Sequence, residues 1–316
     1  RRGLGVSVTS GLTWETPLIL PKFQNDFGRG NGNDYVGSNF GYSNNGLYPN
    51  GVNDGTDESW GPRLDGSLRG QFNSPTTNGY RGGDVYLPNR GDIIPSPWIP
   101  HPNSARDFFE TGHTRFNAVA FSGANDVANF RFSYTNQDEK GIVPNNDLTR
   151  NSFKLNAGYK LSSRLLAETS VNYTKSKSTN RPDLGYGRNK PMYFLLWMTR
   201  DVDMNSLRNY WQPGLEGIQQ FQHNYEEDHN NPFFYQYENT TGQDKNQLYG
   251  NVKLTYNILD NLSLMVRGGT DYYNDFRPKR MAVSTIDNRK GFYEETTLGY
   301  QENNFDFLLS YKNKVA

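Results

Sequence analysis

The chain has 316 residues, 33 Lys+Arg against 33 Asp+Glu, and no cysteine. Balanced charge leaves no bulk pull toward nucleic acid or anionic lipid, and the missing thiols exclude disulfides and zinc–thiolate sites. Only 34% of residues are hydrophobic and mean hydropathy is −0.85, yet aromatics reach 14%, with 21 Tyr and 19 Phe, so the chain is neither an aliphatic-cored enzyme nor an ordinary disordered segment.

The first ten residues, RRGLGVSVTS, lack the pattern of a signal peptide. They open a strand instead, with Leu4, Val6, Val8, Leu12 and Trp14 on one face and Ser7, Thr9 and Thr13 on the other. A hairpin follows in TRFNAVAFSG and VANFRFSYTNQ, the face of its first strand left ambiguous by the sequence. Phe153, Leu155, Ala157 and Tyr159 then alternate with Lys154, Asn156 and Lys160, and Leu165, Ala167, Thr169, Val171 and Tyr173 with Glu168, Ser170 and Asn172. Leu248, Val252, Leu254 and Tyr256 align, as do Leu262, Leu264, Val266 and Tyr272, and finally Phe305, Phe307, Leu309 and Tyr311. The pattern predicts about eight strands.

The connections alternate between tight turns (124–127, 161–164, 259–261) and excursions over 17–113, 138–149, 177–245 and 275–290. Compact soluble domains seldom hold structureless loops so long, whereas outer-membrane barrels pair short periplasmic turns with long outer loops. The longest apolar run, PMYFLLWM, is too short for a spanning helix, but strands of about 9–11 residues cross a bilayer core. Apolar faces ending in Trp14, Tyr134, Tyr173, Tyr256 and Tyr272 suit an interfacial girdle. The pattern therefore predicts an all-β fold, a transmembrane antiparallel β-barrel with long extracellular loops. A soluble β-sandwich carries the same alternation and is the alternative. Within 177–245, Pro191 is expected to open a short helix and Asp203 to cap a second, with Leu207, Tyr210 and Trp211 on one side. Eight strands bounded by loops of this size read as a stretch of a longer barrel, since an open edge in lipid is costly.

Several segments occur together and in order: LPKFQNDFGRG, DESWGPRLDG (57–66), PWIPHPNSARDFFETG (97–112), the run from NAVAFSG through NAGYKLS, and NYTKSKSTNRP with GYGRN. In number, order and spacing they resemble the SusC/RagA family of TonB-dependent outer-membrane transporters, along nearly the whole chain. The resemblance implies a barrel of about 22 strands, of which residues 1–316 are the first part, with the plug domain and the C-terminal barrel outside this sequence. It implies a Gram-negative outer membrane of the Bacteroidota and a SusD-like surface lipoprotein as partner. It also implies TonB acting through a segment not in this chain, and import of oligosaccharides or peptides. No enzymatic role, cofactor or nucleic-acid partner is expected. The alternatives are a surface β-sandwich adhesin or carbohydrate-binding module, and a passive porin.

Recognition of a sugar or peptide asks for exposed aromatics beside hydrogen-bonding groups. The loops offer Tyr35, Tyr42, Tyr48, Trp60, Tyr80, Trp98, Tyr186 and Trp211, and the candidate ligand-binding residues are Trp60, Arg63, Tyr80 and Trp98. The segment holding Trp60 also reads as a fastener: Gly61-Pro62 and Gly66 set turns, Arg63 pairs with Asp57, Glu58 or Asp65, and Trp60 packs on plug or wall. HNYEEDHN (223–230) gathers two His and three acids without a familiar ligand spacing, and 53–58 offers calcium-type oxygens without the twelve-residue loop, so no metal site is expected.

Overall fold

The computed structural model describes residues 3–30, 56–223 and 228–313. The chain opens with β1 (Gly3–Glu15), then a long excursion carries β2 (Leu68–Arg69), β3 (Ser96–Pro97) and α1 (Ser104–Asp107). Four strands follow: β4 (Gly112–Ala124), β5 (Ala128–Lys140), β6 (Asp147–Lys160) and β7 (Leu165–Ser178). A second excursion holds α2 (Pro191–Trp197), a 3-10 turn (Met204–Leu207), α3 (Pro232–Glu238) and β8 (Thr240–Thr241). The chain ends in β9 (Gln243–Leu259), β10 (Leu262–Thr285) and β11 (Asn288–Tyr311). Eight long strands pair antiparallel in the order β1-β4-β5-β6-β7-β9-β10-β11, each beside its sequence neighbour once the short strands are set aside, with β8 added to β10. The fold is thus the expected antiparallel sheet of about eight strands. Among the described residues its outer strands, β1 and β11, each pair on one side.

Register explains why the alternation in the sequence matters. Tyr134 lies opposite Phe153, Phe153 opposite Tyr173, Tyr173 opposite Leu248 and Leu248 opposite Tyr272. One aromatic row therefore crosses five strands, and its rings touch, Tyr134–Phe153 at 4.8 Å and Phe153–Tyr173 at 6.4 Å. Farther along the same face, Leu165, Tyr256, Leu264 and Leu309 form a second row near the tight turns. Between the rows lie Leu155, Val171, Val252, Leu254, Val266, Phe305 and Phe307. Val119 and Phe121 pair with Tyr134 and Phe132, which settles the ambiguous face of β4. The opposite face carries a charge ladder on one rung, Glu168–Lys253 at 2.7 Å and Arg267–Asp306 at 2.9 Å, where Lys253 and Arg267 face each other.

The structure corrects the expected loop at 275–290. Those residues are strand, because β10 runs to Thr285 and turns through Ile286-Asp287 into β11. Pro278 breaks no ladder there. Its carbonyl accepts from Gly242 N at 2.8 Å, so its missing N–H faces the junction between β8 and β9 and the β11 pairing stays whole. The expected excursion at 138–149 shrinks to the six residues between β5 and β6.

The described parts of the two long excursions fold together into a body at the long-loop end of the sheet. Its core joins Phe72, Phe108 and Val143 to Phe194, Leu195, Met198, Val202, Met204, Leu207, Phe221 and Phe233. The hairpin tip is sealed into it. Ala282 N donates to Asn239 Oδ1 at 2.8 Å, and Ile286 N donates to Asn230 Oδ1 at 3.0 Å. Pro191 does open α2, and Asp203 does cap its turn, accepting from Asn205 N at 3.0 Å, but the helix there is a single 3-10 turn. α3, which the sequence reading did not anticipate, starts at Pro232 behind its cap: Asn231 accepts from Phe233 N and Phe234 N while its amide donates to Leu207 O and Phe221 O, both at 2.9 Å. Asn231→Ala removes a cap and two inter-segment bonds from a fully buried site. The expected result is a loss of about 2–3 kcal/mol in the loop body, read by hydrogen exchange, with the sheet amides unchanged.

Candidate functional site

The site grows from a seam between the two glycine-rich segments. Gly28 N donates to Pro62 O at 3.1 Å, Gly30 N to Glu58 O at 2.9 Å, Trp60 N to Gly30 O at 2.8 Å and Gly61 N to Gly28 O at 3.0 Å. The two segments approach so closely that a Cβ on Gly61 would sit 1.8 Å from Arg29 O, and one on Gly30 2.2 Å from Gly61 Cα. Glycine is required at both positions by contact. Gln24 fastens the seam through its amide, donating to Phe27 O at 2.8 Å and Ser59 O at 3.0 Å.

The four candidate ligand residues part company here. Trp60 is 59% exposed and faces Phe27 at 6.2 Å, and Arg63 lays its guanidinium over the same Phe27 ring at 5.2 Å. Of the anticipated acid partners of Arg63, Asp65 accepts from Ser67 N and Asp57 meets His229. Trp98 is 0% exposed, its Nε1 donating to Pro62 O at 3.3 Å, so it anchors the seam from inside. Tyr80 is half-buried in a separate turn, where its amide donates to Thr76 Oγ1 at 3.0 Å. Tyr35, Tyr42 and Tyr48 lie outside the described residues, as does the first half of the 53–58 stretch.

Beside the seam opens a cleft of about 240 Å³ lined by Phe23, Gln24, Trp60, Trp197, Met198 and Arg200. It offers two partly exposed indoles, an amide and a cation in a small concave space. Arg200 stacks over Phe23 at 4.0 Å; burial lowers its pKa to about 10, which Asp201 opposes, so it stays charged at neutral pH. Trp197 donates its Nε1 to Tyr186 Oη at 2.8 Å. Phe23, Trp197 and Arg200 were not anticipated as site residues. The signal for Trp197 was its place at the end of an apolar run opened by proline, where a short helix leaves one ring at its rim.

Asp57 lines the cleft and reaches a buried cluster behind it. Its Oδ2 is 2.8 Å from His229 Nε2. Asp228 accepts from Tyr193 Oη at 2.5 Å and is paired by Arg188 Nε at 2.6 Å. Burial first, then the bond to Asp228, raises the Tyr193 phenol far above its ordinary value, so it remains a donor. His223 is 2% exposed, with its ring 5.4 Å from that of His229 and edge-on to Phe194 at 5.0 Å. Burial pushes its pKa well below the usual imidazole range, with His229 and Arg29 adding to the effect, so its ring is neutral. Beneath the loop body, the polar face of the sheet forms a groove of about 590 Å³ whose lining includes Arg150, Asn172, Arg181, Gln243 and Lys245.

No protein-family model and no curated protein matches the chain. Solved structures of the RagAB peptide importer are similar at 16% identity: its "open-open" state with a TM-score of 0.53 over 68% of this chain and 23% of that chain, and its "closed-closed" state with 0.51 over 68% and 24%. The chain thus spans about a quarter of the length of the chains it matches. The likeness establishes the fold: this antiparallel sheet with its tight turns and long folded loops is arranged like a segment of the structure of an importer.

Proposed function

We propose that the chain is a wall segment of a TonB-dependent outer-membrane importer of the SusC/RagA type, with its apolar face toward lipid and its polar face toward the lumen. The carrying observation is the register. Between two aromatic-marked levels one face of the long strands is mainly apolar, interrupted by Thr169, Thr270 and Asn303, while ion pairs occupy the other face. The levels lie eight residues apart on β9, Leu248 to Tyr256, about 27 Å along the strand. At a tilt of about 35–45° this gives about 20 Å of height, to which the rings at each level add, close to the band of known outer-membrane barrels. A β-sandwich needs a second sheet to cover an apolar face; among the described residues the only other sheet is the two-residue pair β2–β3.

On this reading the loop body faces outward and the plug and remaining barrel lie outside residues 1–316. A SusD-like lipoprotein is the expected partner, TonB the energy transducer, and a peptide or oligosaccharide the cargo. The likeness to a peptide importer favours a peptide. Trp60 and Arg63 are assigned to first contact with cargo, with Trp197 across the cleft, while Trp98 holds the seam and Tyr80 a neighbouring turn. The test is binding of an oligopeptide mixture to the detergent-purified full chain. Trp60→Ala and Trp197→Ala are expected to weaken capture about 5–30-fold, in line with the loss of about 1–2 kcal/mol per exposed aromatic anchor. Unchanged capture in both would remove the cleft from the cargo route.

A further inference from the structure

We propose that Asp57, Asp228 and His229, with His223 as fourth donor, form a zinc site that ties the first long loop to the second. Asp57, Asp228 and His229 each present one ligand atom, and these lie within 4.8 Å of one another. Zinc bonds of about 2.0–2.2 Å set tetrahedral donors about 3.3–3.5 Å apart. The Asp57–His229 pair lies at 2.8 Å and the other pairs of this trio within 4.8 Å, so the three donors must adjust around the metal and His223, which stands outside the trio, must swing toward it.

The independent sign of a missing ligand is His223. It is 2% exposed, neither of its ring nitrogens has a hydrogen-bond partner, and its ring lies against His229 at 5.4 Å. A buried imidazole with both nitrogens unsatisfied is costly in an apolar pocket. A metal bond to one nitrogen turns that cost into a stabilising contact.

The donor set selects the metal. Two imidazoles and two carboxylates suit zinc, whereas calcium and magnesium ask for oxygen ligands in larger number. The outer supports are in place, since Tyr193 Oη and Arg188 hold Asp228 from behind in the manner that orients metal-bound carboxylates. An entry path exists because Asp57 also lines the open cleft.

The experiment is zinc titration of the full chain in detergent after chelator treatment, followed by zinc-edge X-ray absorption. About one tightly held zinc per chain is expected, in a shell of nitrogen and oxygen donors with the multiple-scattering signature of imidazole. His223→Ala and His229→Ala should each weaken zinc by more than ~100-fold, and Tyr193→Phe by about 10–100-fold, with excess calcium competing in none. Far-ultraviolet circular dichroism checks that each variant keeps its sheet; should one fail to fold, the spectrum of the unaltered protein decides alone. A shell without imidazole, no stoichiometric zinc, or unchanged affinity in both folded histidine variants would overturn the site.

Discussion

Val252→Arg and Val266→Arg are expected to lower the amount of assembled barrel sharply, while Ser170→Arg leaves it near normal. Val252 sits opposite Thr169 and Gly268, and Val266 opposite Leu254 and Phe307, in the middle of the apolar band. If that band meets lipid, a cation there costs about 2–4 kcal/mol, because neither water nor a counter-charge is at hand. Ser170 projects to the other face, beside Asn156 and Asn251, where a guanidinium keeps polar company. The readout is heat-modifiable migration of the membrane-inserted protein. Equal tolerance of all three substitutions would mean that the faces are assigned the wrong way round.

Trp98→Ala is expected to open the loop seam. The indole is fully buried, fills the space over Gly28 and hydrogen-bonds Pro62 O. Truncating a buried tryptophan costs about 3–5 kcal/mol. The loss falls on the 20–30 and 57–66 segments because those are what the ring joins. Trp60→Ala, at a ring 59% exposed, should change stability by no more than about 0.5 kcal/mol. Hydrogen exchange separates the two: faster exchange at Gly28, Gly30 and Gly61 in Trp98→Ala, native exchange in Trp60→Ala, and protected strand amides in both. A seam that stays closed without Trp98 would place its stability in the backbone bonds alone.

The strands were legible because a sheet with two different faces writes its period into the sequence; Phe153 to Tyr159 and Leu165 to Tyr173 needed only their alternation. The extension of β10 was not, because RPKRMAVST carries proline and charge. Its strand conformation depends on partners supplied by β8, Asn239 and Asn230, far from it in sequence. The site was legible in part. DESWGPRLDG could be singled out by its odd composition, but whether Trp60 or Trp98 faces solvent depends on the close approach of Gly30 and Gly61, which no local pattern encodes. The same holds for His223 and His229. Their spacing on the chain matches no familiar ligand pattern, and only the folding of Asp57 from the other loop makes them a cluster.

On the proposed reading this sheet is a membrane-spanning wall. Fractionation of cells producing the full chain, with successive extraction by high salt, by alkaline carbonate and by detergent, tests it most directly. The protein is expected to resist salt and carbonate, enter detergent, and then migrate differently on gels before and after boiling, as closed barrels do. Release by high salt alone would contradict it and return the sheet to the surface of a soluble or peripheral protein.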